Sequence, residues 1–436
     1  MKRKMTITLM LVASLLSVQA QQVWTLQQCI SHAIAHNISV QQQQDNVQQQ
    51  EIALNTARFS RLPDLAASAG ENFSFGRGLT SDNTYANRNT QSTSFSLGTN
   101  VPLITGGQIP AQVRQQRLGL QAALQDCLKA QDDVTLNVLS AYLEAVCQKE
   151  LVEVARRQAL LSSAQVERMG RMLAEGKAAP ADLAQWRATL ATDSLTLVQQ
   201  QNSLMLSLLT LTQLLNLDTP DGFDVETPSE ALPLDAVLPA PDAVYAETQG
   251  FKPQIVGGQL RLSQAREGIT AARSALFPSL YFSVGLGTSY YRTSGFPVAR
   301  FGSQMRDNFN QYFGLSLSVP IFNRLHTRNN IRSARVAVHT QELQLQETRQ
   351  ALYREIQQAY YNAVAAQRQC LSAATAGESA ETSYRLMKSK YEHGKANATE
   401  LQDVQTKLAR ARSEEAQARL TFLFRRRVLD FYRRHA

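Results

Sequence analysis

The chain repeats itself. "RFSRLPDL" at Arg58 to Leu65 returns as "RSALFPSL" at Arg273 to Leu280, 215 residues later. Three further pairs share a shift of 218: "FSLGTNVPL" at Phe95 with "FGLSLSVPI" at Phe313, "YLEAV" at Tyr142 with "YYNAV" at Tyr360, and "GKAAPADL" at Gly176 with "GKANATEL" at Gly394. One shift shared by three separated matches, with a fourth displaced by three residues, is the mark of an internal duplication carrying one loop insertion. The fold must then hold two copies of one design, each ordered short helix, helix, strand, loop, strand, very long helix, turn, long helix. The first repeat is expected at 21–217 and the second at 241–432, joined by a linker at 218–240.

The strands are recognised by alternation. In "LFPSLYFSVGLGTSY", Leu280, Phe282, Val284, Leu286 and Tyr290 face one way, and Ser279, Ser283, Gly285, Gly287 and Ser289 the other. Strands are expected near 63–77, 92–103, 278–291 and 310–322, two per repeat. Period-two patterning over this length fits either half-buried strands of a soluble sheet or strands of a membrane barrel. The intervening "GLTSDNTYANRNTQ" and "SGFPVARFGSQMRDN" are polar and longer than a tight hairpin, as the outer loops of such barrels are.

The helical stretches limit the fold as strongly. From about Pro110 to Leu173 there is little glycine and no internal proline, which makes a rod of about 95 Å at 1.5 Å per residue. A second rod is expected from about Thr327 to Tyr391, and the two long hairpins span 110–217 and 325–432. Apolar residues recur three or four apart, as in Leu136, Leu139, Leu143 and Val146, a narrow packing seam with a wet face beside it. Prolines mark the joins: Pro63 and Pro278 are expected to open the first strands, and Pro102 and Pro320 to close the second ones. Strand then passes into helix without a linker.

The start, "MKRKMTITLMLVASLLSVQA", has a basic head, an apolar run and a small-residue end, so 1–20 reads as a secretory signal peptide. Beyond it no 18-residue stretch is continuously apolar, and "SLMLSLLTLTQLLNL" at Ser203 to Leu217 reads as buried helix rather than a span. A closed barrel is the remaining way to cross a bilayer. The net charge of +8, or +5 without Lys2, Arg3 and Lys4, is spread too thinly to mark a nucleic-acid partner. The basic "RRRVLDFYRRHA" reads as a helix end suited to the dipole. Cys29, Cys127, Cys147 and Cys370 form no framework. Cys127 and Cys147 on one helix lie about 30 Å apart and cannot bridge, while a bridge involving Cys29 or Cys370 stays open.

Four strands cannot enclose an aqueous lumen. Barrels of 8 fill with side chains, so a conduit calls for three or more copies in a ring. The duplicated order, the "VPLITGG" and "VPIFNRL" strand exits, and the "EGKAAPADL" and "HGKANATEL" turns resemble the TolC family of outer-membrane efflux proteins, over about Gln21 to Tyr432. The resemblance implies an α/β membrane channel: a homotrimer with a 12-stranded barrel in outer-membrane lipid, four strands per chain, continuous with a long periplasmic α-helical barrel. It also implies a periplasmic adaptor (membrane fusion) protein and an inner-membrane pump as partners. The expected role is the exit duct of a tripartite efflux or type I secretion system, passing small molecules or exported proteins.

On that resemblance Gly394 is the turn glycine of the periplasmic tip, and Glu400 and Asp403 fall on the family's two gate aspartates. Glu400 departs from the pattern, and the first repeat holds Asp182 and Gln185 at the same places. The residues argue independently, since Glu400 and Asp403 are i,i+3 on one helical face, and three-fold symmetry would ring six carboxylates about an axis. The competing reading makes them first-turn acids that stabilise a helix start. The turns Gly176-Lys177 and Gly394-Lys395 are the expected adaptor-docking tips, with Asn397 or Thr399, and Pro180-Ala181-Asp182, starting the helices that follow.

An enzyme is not expected. His32, His36, His326, His339, His393 and His435 offer no HExxH pair or three-ligand cluster, and no GxSxG, P-loop or dinucleotide fingerprint occurs. His32 and His36, at i,i+4, read as solvated helix side chains, with a chance metal pair the alternative. No cofactor and no metal are therefore expected. The rival function is a periplasmic coiled-coil adaptor or scaffold, which would bury its strand faces within itself.

Overall fold

A computed structural model describes residues 22–79, 83–220, 222–227 and 237–433. The expected signal peptide, His435 and much of the expected linker lie outside the described residues. The chain runs β1 (Gln22–Trp24), α1 (Leu26–His36), α2 (Ile38–Phe59), β2 (Ala66–Leu79), β3 (Tyr85–Thr105), α3 (Gln108–Ala174), α4 (Pro180–Leu214) and β4 (Phe223–Val225). It continues with α5 (Pro241–Thr248), α6 (Pro253–Ser274), β5 (Ser279–Thr293), α7 (Phe301–Asp307), β6 (Asn310–Ser318), α8 (His326–Glu392) and α9 (Ala398–Arg433). Helices in corresponding places match in length: α2 and α6 have 22 residues each, α3 and α8 have 67 each, and α4 and α9 have 35 and 36.

The chain divides into two compact units, and neither is a sequence half. Among the described residues, one holds 22–44, 126–220, 222–227, 237–255 and 348–433; the other holds 45–79, 83–125 and 256–347. In the first unit the core gathers Val138, Tyr142 and Val146 of α3, Leu208 and Leu211 of α4, Cys29 and Ala33 of α1, and Leu420 and Leu423 of α9. β1 and β4 pair in parallel there. The buried Tyr142 hydroxyl donates to the carbonyls of Trp24 and Glu226, so the start of the described chain is tied to the core. All four cysteines are free and buried. Burial pushes the Cys29 thiol up to about 12 and that of Cys147 to about 11, so neither is a ready nucleophile.

In the second unit the strands form one antiparallel sheet in the order β2-β3-β5-β6. The register joins the apolar positions into rows, Val101–Phe282–Leu315 and Thr99–Val284–Phe313 among them, with Leu280–Leu317 and Ala69–Phe95 continuing the band. The other face carries Ser68–Ser96–Gly287–Asn310, Gly98–Gly285–Tyr312 and Asn100–Ser283–Gly314. Gly285 is required in its row, because a Cβ there would meet the Tyr312 ring at 2.6 Å.

Four expectations need correction. β3 begins at Tyr85, well before the expected 92, so most of "GLTSDNTYANRNTQ" is paired hairpin. That segment has no apolar face to alternate, and only backbone pairing reveals it. Pro102 does not close its strand: β3 runs on to Thr105, and the register slips between Pro102 and Ile104, a bulge that absorbs a residue with no N–H to donate. β6 stops at Ser318, four residues short of the expectation, and α7 occupies the stretch expected to be a plain loop. Gln304 of α7 accepts from the Tyr291 N–H at 3.0 Å and donates to the Tyr291 carbonyl at 3.1 Å, taking the place of a strand partner. Finally, "SLMLSLLTLTQLLNL" buries one face only: Leu208, Leu211 and Leu215 are buried, while Met205 and Leu206 are exposed.

Pro63 and Pro278 precede β2 and β5, and Pro320 follows β6. The strand-to-helix turns differ in chemistry although their backbones agree. Gly106 and Gly107 have φ of 61° and 85°; Arg324 and Leu325, the residues 218 positions later, have φ of 53° and 63°. Left-handed backbone costs a non-glycine residue roughly 1–2 kcal/mol. At Gly106 glycine is obligatory for a second reason, since a Cβ would lie 2.5 Å from the Ser274 carbonyl oxygen.

Candidate functional site: the paired helical tips

Each long helix ends on the same motif. In α3 the Gly176 N–H reaches the Leu173 carbonyl at 3.0 Å and the Lys177 N–H reaches Met172 at 2.8 Å, with Gly176 at φ 68°. In α8 Gly394 reaches Tyr391 at 3.0 Å and Lys395 reaches Lys390 at 2.9 Å, with Gly394 at φ 69°. This is the Schellman arrangement, in which glycine takes the left-handed position and the last carbonyls are satisfied. Asn216, φ 58°, ends α4 the same way, with Leu217 donating to Thr212, a stop that the sequence reading missed. Gly176, Lys177, Gly394 and Lys395 are all exposed.

The helices leaving the tips start differently. Pro180 sits at the first position of α4 with no side-chain cap. α9 opens on a capping box: Asn397 Oδ1 accepts from the Glu400 N–H at 2.8 Å, and Glu400 Oε2 accepts from the Asn397 N–H at 3.0 Å. Asn397, not Thr399, is therefore the cap, and Glu400 does serve the helix start. Asp403 is exposed and paired with Lys407 at 2.6 Å. The i,i+4 lysine was legible in the sequence and overlooked; it offsets the charge that Asp403 brings. Asp182 is half-buried in the first turn of α4, and Gln185 is exposed.

The two hairpins pack together through Met169, Leu183, Trp186, Tyr384, Leu401, Val404 and Leu408. Around that cluster the structure joins Gln185 to Gln402 at 3.3 Å and Gln402 to Thr189 at 2.5 Å. Of the four expected gate residues, only Gln185 is thus linked across the hairpins. Higher up lies a polar layer with no counterpart in the sequence reading. Ser162 donates to Asp193 at 2.5 Å, Gln158 to Asp193 at 3.2 Å, and Gln405 to Ser162 at 3.3 Å. Gln405 Oε1, Gln165 Oε1 and Trp186 Nε1 are buried without a hydrogen-bond partner. The available signal was Gln405 itself, a polar residue on the stripe of Leu401, Val404 and Leu408.

Among the described residues no group of three or more His, Cys, Asp or Glu side chains could hold a metal ion, and no helix is long and apolar enough to cross a membrane. What the site offers is two glycine-ended turns, a set of exposed carboxylates with their counter-ions, and a seam of amides.

Comparison with known proteins agrees in sequence and in fold. The family model for outer membrane efflux protein matches residues 29–217 and again 244–429. The cobalt-zinc-cadmium resistance protein CzcC of Cupriavidus metallidurans is 23% identical over 235 residues, 54% of this chain and 51% of that protein, so the chain spans about half the length of the curated relative it matches. Among solved structures, the outer membrane protein VceC of Vibrio cholerae superposes with a TM-score of 0.72 at 17% identity, covering 94% of each chain. The open-state MtrE outer membrane channel of Neisseria gonorrhoeae gives 0.72 at 21% identity, covering 94% of this chain and 88% of that one. With both stretches of the chain matched by one family model, the chain belongs to the outer membrane efflux protein family.

Proposed function

We propose that the protein is the exit duct of a tripartite efflux or type I secretion system, a homotrimer that carries small molecules or exported proteins outward from an inner-membrane pump. The observation that carries this reading is the four-stranded sheet with one exposed apolar face and two open edges. Phe313, Leu315 and Leu317 of β6 are 83%, 66% and 65% exposed in the single chain. An apolar surface of this extent is not left in water, and hydrocarbon is the medium that accepts it. From Phe95 to Leu103 the apolar band measures about 27 Å along the strand, or roughly 20 Å of height at the usual barrel tilt, close to the lipid-facing band of outer-membrane barrels.

The edges point to how the barrel closes. The strands alternate in direction across the sheet, so β6 of one copy set against β2 of the next continues the antiparallel order. Three copies supply 12 strands, the smallest ring of these units wider than the side-chain-filled barrels of 8. The equal helix lengths and the doubled family match support an ancestral tandem duplication. We assign the tips at Gly176-Lys177 and Gly394-Lys395 to adaptor docking, and Glu400, Asp403, Asp182 and Gln185 to the periplasmic constriction, with Lys407 as the counter-ion that moderates it. Pro63 and Pro278 serve the helix-to-strand joins and Pro320 a strand-to-helix join, while Pro102 lies within β3.

Electron microscopy of the detergent-purified particle tests this reading through its mass and symmetry. A three-fold particle of about three chain masses, hollow along its axis, is expected. A water-soluble monomer with the strand faces buried would refute the duct and favour a periplasmic scaffold.

A further inference from the structure

Where α2 enters the sheet and α3 leaves it, the second unit holds a groove of about 800 Å³. Arg58 and Phe59 at the end of α2, Leu103 and Ile104 at the end of β3, and Arg114 and Arg117 on α3 line it, with Arg61 on the turn before β2. The apolar part of this lining continues the greasy band of the sheet. The bulge after Pro102 brings Ile104 opposite Leu280, which itself lies opposite Leu317, so Ile104 joins the apolar rows instead of turning to the polar face. Leu103 and Ile104 are 52% and 55% exposed, and Phe59 is exposed as well.

The charged part carries one sign. Arg114 is paired with Glu267 at 3.0 Å, and Asp64, three residues past Arg61, accepts from the Asn100 N–H at 2.8 Å. Arg58, Arg61 and Arg117 are exposed, and neither stretch that supplies the groove, 55–61 or 102–117, contains an Asp or Glu to neutralise them. The second repeat keeps Arg273, Arg332 and Arg335 at the places of Arg58, Arg114 and Arg117, with Leu276 in place of Arg61, so basic side chains mark both joins. The first turn of α3 also borders the groove and holds no acid, which adds the positive end of a helix dipole. Arg114 lies six residues beyond Gln108, about 9 Å along the axis, and a long side chain leaning toward the helix start recovers much of that distance. An apolar wall that leaves the band and ends among guanidinium groups fits an acyl chain joined to a phosphate, whose oxygens guanidinium binds in pairs. We propose that this groove binds one anionic glycerophospholipid of the periplasm-facing leaflet, its phosphate held by Arg58, Arg61 and Arg117 and its acyl chains laid along the band that ends at Leu103 and Ile104. The site rests on the reading of the sheet as part of a membrane barrel.

Native mass spectrometry of the full-length protein in detergent, titrated with phosphatidylglycerol or with phosphatidylethanolamine, is the test. Phosphatidylglycerol should saturate at one molecule per chain and bind at least about tenfold more tightly than the zwitterionic lipid, since basic pockets beside a bilayer select anionic headgroups. R58Q/R61Q/R117Q should reduce that preference at least about tenfold, and R61Q alone should reduce it in part. R171Q/R187Q/R410Q, an equal loss of charge at exposed positions outside the groove, should keep it. The headgroup preference of the unaltered protein remains decisive if the groove variant fails to fold. Excess glycerol 3-phosphate should leave the lipid bound, because the acyl contacts are missing from it; displacement by it would make this a site for free anions and overturn the lipid assignment. Equal binding of the two lipids, no saturable phase at one per chain, or a folded groove variant that keeps the preference would overturn it too. A hollow three-fold particle without lipid preference removes this site alone, whereas a water-soluble monomer removes the duct with it.

Discussion

Gln405 is the residue whose replacement tests most directly how the paired tips are held. It is 1% exposed, its amide nitrogen makes one long bond of 3.3 Å to Ser162, and its carbonyl oxygen has no partner. An unpaired buried carbonyl costs about 1–3 kcal/mol, whereas a long neutral hydrogen bond contributes about 0.5–1.5 kcal/mol. Gln405→Met keeps the length of the side chain, removes both polar atoms and leaves Ser162 its bond to Asp193. The balance is a gain of about 1 kcal/mol per protomer, with up to about 1 more from added apolar burial. In a melt of the detergent-solubilised protein followed by circular dichroism at 222 nm, this raises the apparent Tm by roughly 2–4 °C per kcal/mol. Ser162→Ala, in contrast, strips a donor from the half-buried Asp193 and lowers it. A Gln405→Met protein that melts clearly below the parent would show that the amide is satisfied in the assembled protein, and the argument from the orphaned carbonyl would fail.

Other outcomes follow from separate parts of the molecule. Gly106→Ala combines left-handed backbone with a Cβ 2.5 Å from the Ser274 oxygen, and should cost about 2–4 kcal/mol. Gly107→Ala has open space around it and should cost only about 1–2 kcal/mol, the left-handed penalty alone; parallel melts of the two variants check the difference. Burial raises the Glu355 carboxyl pKa above its ordinary value of 4.5, so its contribution to stability is full below that value and is lost as pH rises through the raised one. Glu355→Gln should therefore stabilise the protein at pH 7 and flatten this part of the acid-side dependence, as melts at pH 4 and pH 7 would show. Removing the carboxylates with E400A/D403A should raise conductance through the closed channel in a planar bilayer and weaken block by multivalent cations, while K407A should strengthen that block. Unchanged conductance and block in both variants would remove these residues from the constriction.

Much of this architecture could be read from residue order because it depends on local rules. The 67-residue helices Gln108–Ala174 and His326–Glu392 follow from long stretches without proline, and their ends from Gly176 and Gly394, where only a left-handed residue satisfies the last carbonyls. The apolar positions of β5 and β6 follow from period-two alternation, a property of every strand. Where neither rule applied, the reading failed. Tyr85 to Thr90 pair in a hairpin with no apolar face, Pro102 sits in a bulge that becomes visible only once β5 is its neighbour, and α7 replaces the strand partner that β6 is too short to provide.

The sites divide along the same line. Order along the chain was enough to place glycines and acids at two hairpin tips, since a turn and a helix start need only nearby partners. The cap on Glu400 and the Lys407 partner of Asp403 are local too, but which amides are stranded in the seam depends on residues up to 243 positions apart, as between Ser162 and Gln405. Even the strand-to-helix turns obey this division: Gly106-Gly107 announce a left-handed turn, but Arg324-Leu325 adopt one without any local preference for it. Backbone preference is a property of neighbours along the chain; strain of that kind is sustained only by the tertiary contacts that surround it.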